Sequence, residues 1–397
     1  MPAITSLLHK YLIYENQGLV TNDDAESGLV EHVRAGIFEL LQLWAQKYDD
    51  DFKPFVGQFI ESSWNLLTNI GLEVKYDILV SKALQFLTSV TASVEHAQAF
   101  NNEQTLGQIV ERVILPNLTL RDSDLELLED EPIEFIRRDL EGSDSDTRRR
   151  ASTDFLRSLM SKFEQMVASV VLNYIEHYLS EYRQSPSSNW RSKDTAIYLY
   201  SAIAAKGAVT TSQGVTATNS FANVVDFFQS NIAGDLVTEE SDSIVLKVDA
   251  IKYLYVFRSQ ITPSQWREAF PLVVKHLGSS EYVVYTYASI ALERVMALST
   301  TSRQPVIGRQ EVEALAPQLL QHQFSLIERD NDPAKVQENE FLMRCIMRVL
   351  IVVKEGILAL VDIIMPHFSK LIIIACQNPS NPRFNYYLFE AVGALVR

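Results

Sequence analysis

Cysteine is nearly absent from this 397-residue chain, which holds only Cys345 and Cys376. Two thiols so far apart give neither a disulfide framework nor a zinc knuckle, and they point to a reducing compartment. Glycine and proline are also scarce, at 14 and 13 residues. So few turn formers disfavour a many-stranded β fold and favour long helices with short connections. No apolar run reaches the roughly eighteen residues that a membrane span needs. The nearest, Ile357 to Cys376, is interrupted by Asp362, Pro366, His367 and Lys370, so no membrane insertion is expected. Positive charge is the remaining deficit. Lys and Arg total 35 against 50 acids, for a net charge of -15. Nucleic acid is therefore excluded as the main partner, because phosphate binding needs clustered cations. The acidity either attracts basic partners or only keeps a large protein in solution, and composition leaves both readings open.

The chemistry of a catalytic site is missing as well. The seven histidines, His9, His32, His96, His177, His276, His322 and His367, are scattered along the chain. No pair has the i,i+4 spacing of a helical zinc site. There is no glycine-rich phosphate loop, no dinucleotide fingerprint and no nucleophile elbow. Neither a cofactor nor an enzymatic activity is expected.

What the chain does have is helical periodicity and self-similarity. In VKYDILVSKALQFLTSV, Ile78, Leu79, Ala83, Phe86, Leu87 and Val90 share one helical face. Aligning segments on a small residue followed by a large apolar one gives Ala35, Ala83, Ala151, Ala196, Ala250, Ala288, Cys345 and Ala391. Their spacings are 48, 68, 45, 54, 38, 57 and 46 residues. All but the second scatter around the roughly 40–47 residues of HEAT and armadillo units. A recurring small side chain marks the point where stacked helix pairs approach closely. First helices are expected at 52–70, 161–182, 221–232, 263–277, 312–327 and 357–376. Thr262-Pro263 and Asp332-Pro333 read as helix starts. The expected fold is therefore all-α, a right-handed α-α superhelix of about eight helix pairs running through residues 1–397, monomeric and protein-binding. Both ends read as cut mid-pattern, as in a fragment that lacks terminal arms.

Three of the small residues follow a basic residue by three positions: Arg148, Lys193 and Lys247. The pattern resembles the second-helix signature of HEAT repeats, in which the basic side chain bridges to the neighbouring repeat. An ordinary charged helix face is the alternative. The 68-residue interval holds an insertion at about 120–146, RDSDLELLEDEPIEFIRRDLEGSDSD, with eleven acids against three arginines. Its apolar residues Leu125, Leu127, Leu128, Ile133, Phe135, Ile136 and Leu140 are the candidates for anchoring it. A Gly/Thr/Ser-rich stretch at 206–219 reads as a flexible loop.

The segments AQKYDDDFKPFVGQFIESSWNLL, GLEVKYDILVSKALQFL, EFIRRDLEGSDSDTRRRA, LKVDAIKYLYVFRSQ, ENEFLMRCIMRVL and NPSNPRFNYYLFEAV follow one another along the chain. Together they resemble the CAS-type exportins, importin-alpha re-exporters of the importin-beta (karyopherin) superfamily. EFIRRDLEGSDSDTRRRA is the most specific, because repeat packing alone does not demand it. The resemblance covers the middle portion of such proteins. It implies a transport receptor that shuttles between nucleus and cytoplasm, binding RanGTP and importin-alpha together, with nucleoporins as further partners. It also implies that the insertion lies near Ran, which makes Arg137, Arg138, Asp139, Glu141, Asp144 and Asp146 the candidate partner-binding residues. A HEAT scaffold subunit in a static complex is the competing reading.

Overall fold

The computed structural model describes residues 2–140, 147–207, 209–238 and 243–396. Two compact units divide the chain, residues 1–206 and 207–397. Each is a row of antiparallel helix pairs.

In the first unit, α1 (Pro2–Leu12), α2 (Leu29–Lys47), α3 (Asp49–Asn69) and α4 (Asp77–Ala92) form two pairs. Next comes α5, made of Glu103–Ile109, a π-helical turn Val110–Ile114 and Leu115–Leu118. The insertion contributes α6 (Asp122–Asp130) and α7 (Pro132–Asp139), followed by α8 (Arg148–Gln184) and α9 (Trp190–Ala204). The second helices of the pairs stack in sequence order, α2 on α4, α4 on the first half of α8, and that half on α9. The residues expected at the close approaches are where that reading needs them: Ala35, Ala83, Ala151 and Ala196 are all buried.

Two features of this unit differ from the sequence reading. The segment through Ala151 and the expected first helix at 161–182 form one run, bent where Phe163 leaves helical geometry (φ -131°, ψ 43°). A single residue makes the corner, so no glycine or proline announces it. The long interval also holds a complete first helix, α5, as the other intervals do, so its excess length is the insertion itself.

In the second unit, residues 209–215 form a hairpin, β1 (Val209–Thr210) with β2 (Gly214–Val215), where a flexible loop was expected. The fully buried Arg258 holds it, donating to the carbonyls of Thr210 (3.2 Å) and Thr211 (2.9 Å). Gly214 adopts φ +70°, and a Cβ there would lie 2.2 Å from the Val256 carbonyl oxygen, so glycine is required. The helices are α10 (Val224–Asn231), α11 (Ala233–Val237), α12 (Ile244–Val256), α13 (Pro263–Lys275), α14 (Tyr282–Met296), α15 (Arg309–Ile327), α16 (Pro333–Gln337), α17 (Glu340–Val353), α18 (Val361–Gln377) and α19 (Pro382–Val396). Here the second helices stack as α12, α14, α17 and α19, with Ala250, Ala288, Cys345 and Ala391 buried at the joints.

Thr262 caps α13 with Gln265 in a reciprocal capping box ahead of Pro263. Asp332 caps only the short α16, and the helix through Cys345 starts separately at Glu340. The buried Gln337 fixes that break. It donates to the carbonyls of Pro333 (2.8 Å) and Asn378 (2.5 Å) and accepts from the backbone amides of Ser380 and Asn381. Counting α10 with α11 and the second half of α8 as first helices, the described residues hold eight pairs. The architecture is the expected all-α one, helix pairs stacked in HEAT fashion.

Candidate functional site

The insertion is tied to the repeat body by charge. Arg121 caps α6, and its guanidinium holds Asp124 through Nε (3.1 Å) and Nη2 (2.9 Å). The same guanidinium grips Asp77, at the start of α4, through two bonds of 2.7 and 3.0 Å. Arg148 donates through Nε to Asp77 Oδ1, the oxygen that Arg121 Nη1 also reaches, at 2.6 Å. It also donates to the side chain of Asn117 (3.1 Å) and the carbonyls of Gly71 and Glu73 (3.0 Å each). One carboxylate thus joins the ends of α4, α6 and α8. A buried guanidinium persists only when its donors are used, and Arg148, 3% exposed, uses three of its nitrogens. Burial works against the charge on Asp124, but the Arg121 hydrogen bonds prevail and hold its carboxyl below the usual range. Burial also pushes the Arg148 guanidinium down, with Asp77 opposing.

A second set of bonds fixes the insertion to α9. Arg191 pairs with Asp122, and the Tyr198 hydroxyl donates to Asp139 (2.7 Å). The Arg149 guanidinium stacks on Tyr198, 3.3 Å from the ring centroid, and reaches the buried Asp194 at 2.5 Å. Of the seven apolar anchors expected, Leu128 and Ile136 are buried and the other five are half-buried. The outer edge is acidic: Glu126, Glu129, Asp130 and Glu131 are all exposed.

The structure separates the candidate partner residues. Arg137 is exposed, and Arg138, also exposed, pairs with Glu134 at 2.8 Å. Asp139 is half-buried and engaged by Tyr198. Glu141, Asp144 and Asp146 lie outside the described residues. Among the basic repeat positions, Arg148 reaches the preceding pair as described above. Lys193 is buried, with its ammonium 4.4 Å from the Tyr182 ring centroid, and Lys247 is half-buried. The reading from sequence missed the acids of these joints: Asp77, Asp194 and Asp249. Asp194 and Asp249 follow Lys193 and Lys247 within two residues and are buried, so acid-before-alanine was the available signal. Arg121 has a local partner in Asp124, but nothing local marks its bond to Asp77 or that of Tyr198 to Asp139, which span 44 and 59 residues.

Among the described residues no group of His, Cys, Asp or Glu is arranged to hold a metal ion, and no helix is long and apolar enough to cross a membrane. The site consists of a clip, an acidic edge and two exposed arginines, which suit a protein surface.

Comparisons with known proteins agree with this architecture. The chain is 44% identical over 394 residues to the importin alpha re-exporter of Saccharomyces cerevisiae, covering 98% of this chain and 41% of that protein. It is 38% identical over 390 residues to human Exportin-2, covering 98% and 40%. It therefore spans about two fifths of the length of these relatives. The solved structure of the exportin Cse1 in its cargo-free, cytoplasmic state superposes with a TM-score of 0.91 at 44% identity, over 99% of this chain and 41% of that one. Kap121p bound to Pho4p shares the fold alone, with a TM-score of 0.59 at 16% identity over 99% of this chain and 33% of that one. The Cse1 family model matches residues 1–292, and the model of the CAS/CSE protein C-terminus matches residues 293–397. From the pinned insertion to the stacked second helices, the chain belongs to the Cse1 family.

Proposed function

We propose that this chain is the middle part of a nuclear export receptor that returns importin-alpha to the cytoplasm in complex with RanGTP, with no chemistry of its own. The observation that carries the reading is the 44% identity to an importin alpha re-exporter, maintained over 394 residues. Residues 1–397 act in it as one segment of a longer solenoid. The partner contacts lie on the insertion: Arg137 and Arg138 for an acidic surface, and the edge from Glu126 to Glu131, with Glu141, Asp144 and Asp146, for a basic one. Asp139 positions the end of α7 through Tyr198. Shuttling through the nuclear pore brings nucleoporins into contact as further partners.

Binding of importin-alpha, measured with and without GTP-loaded Ran, tests this. The protein is the chain alone and the chain set in place of the matching segment of the Saccharomyces cerevisiae relative. Ran-dependent binding by the exchanged receptor, weakened at least tenfold by joint change of Glu129, Asp130 and Glu131 to Ala, supports both the function and the surface. Equal binding before and after the change removes the surface. An exchanged receptor that folds but shows no Ran-dependent binding overturns the function.

A further inference from the structure

The second helices of the second unit carry a charge opposite to that of the chain. Glu293, on α14, is 2% exposed, and a carboxylate so buried needs compensation. The compensation exceeds one charge. Arg348 approaches Oε1 with Nε (3.2 Å) and Nη2 (3.1 Å), Arg344 approaches Oε2 at 3.3 Å, and Arg294 lies at 3.9 Å. Three guanidiniums around one carboxylate leave two positive charges at this joint. Each guanidinium has five N–H donors, and the three side chains remain 27%, 26% and 23% exposed, so donors face solvent.

The surroundings give this charge a shape. From Phe341 to Ile351, α17 is open only at Phe341, Arg344, Arg348 and Ile351; every residue between them is buried. The spacings of three, four and three residues put these side chains on one helical face. Arg344 is steadied by the Tyr387 ring of α19, 5.6 Å away. Ten residues of helix span about 15 Å, the length of about five extended residues.

We propose that the stripe Phe341–Arg344–Arg348–Ile351, with Arg294 beside it, docks an Asp/Glu-rich protein segment that carries an apolar residue. Its carboxylates take up the free guanidinium donors, and the flanking Phe341 and Ile351 receive the apolar side chain. A net charge of -15 does not forbid this, because screening over about 8 Å at physiological salt leaves the local excess in control. Nucleic acid suits the stripe less well. A polyphosphate gains affinity from a long row of cations, and here the row ends after two turns of helix. The proposal does not rest on the export reading, which places its partner contacts on the insertion in the first unit.

Fluorescence anisotropy tests it, using the full chain and a labelled ten-residue peptide of Asp and Glu with one central Phe at low salt. Arg344→Gln with Arg348→Gln, made in a Glu293→Gln background so that no carboxylate is orphaned, is expected to weaken binding at least tenfold. Glu293→Gln alone is expected to tighten it, since it raises the local charge; a purely structural cluster predicts no gain. Thermal melts confirm that each variant folds. Unchanged binding across folded variants, or no binding by the wild-type chain, overturns the proposal. So does tighter, stripe-dependent binding of a single-stranded oligonucleotide than of the peptide.

Discussion

Two joints between second helices solve the same packing problem with different materials. The joint between α4 and α8 is closed at one end by polar groups, with Asp77 shared by Arg121 and Arg148, and Asn117 and two carbonyls completing the set. The joint between α12 and α14 is largely apolar, with Ala250, Ile251, Leu254, Tyr287, Ala288 and Leu292 buried and Asp249 its one buried acid on α12. Hydrogen bonds fix direction and partner, whereas apolar contact is non-directional and scales with area. The polar joint therefore suits the place where an extra two-helix element must attach in one register. The apolar joint suits uninterrupted stacking.

The comparison can be broken by substitution, and the largest effect is expected in the second unit. Trp266→Ala, which empties a fully buried site and removes the bond to the Arg258 carbonyl, should cost about 3–5 kcal/mol in urea unfolding. Arg148→Met should cost about 2–3 kcal/mol, less than orphaning a buried charge because Arg121 still holds Asp77. Ala288→Leu should cost about 1–3 kcal/mol by overpacking. If Ala288→Leu is neutral, the apolar joint is not closely packed and the contrast fails. Tyr198→Phe should cost about 1 kcal/mol, with faster amide exchange confined to α7 and its surroundings; protection unchanged in α7 would mean that the Asp139 bond does not hold it.

The smallest effect depends on pH. The Asp124 carboxyl is held below its ordinary value in the fold. Its stabilisation is therefore complete above about pH 4, the unfolded value, and is lost as pH falls through the lower folded one. Asp124→Asn should flatten the acid limb of a stability–pH curve for the first unit. An unchanged limb would place the acid sensitivity in other carboxylates.

Much of the fold was legible in the sequence because repetition shows itself locally. The helical period and the recurring small residue identified seven alanines and Cys345, and all eight are buried. The insertion was visible as a stretch whose charge departs from the repeat pattern. Its attachment was not, since Arg121 with Asp77 and Tyr198 with Asp139 are separated by 44 and 59 residues. The hairpin at 209–215 was misread as a flexible loop because its order comes from Arg258, nearly fifty residues on.

The sequence by itself determined the helices, the stacking period and the position of the insertion, since each rests on side chains within a few turns of one another. The tertiary structure alone decided which charged residues became joints and which stayed available. That choice depends on which helix ends meet, and burial then favours charged groups that find an opposite charge or a hydrogen-bond partner there.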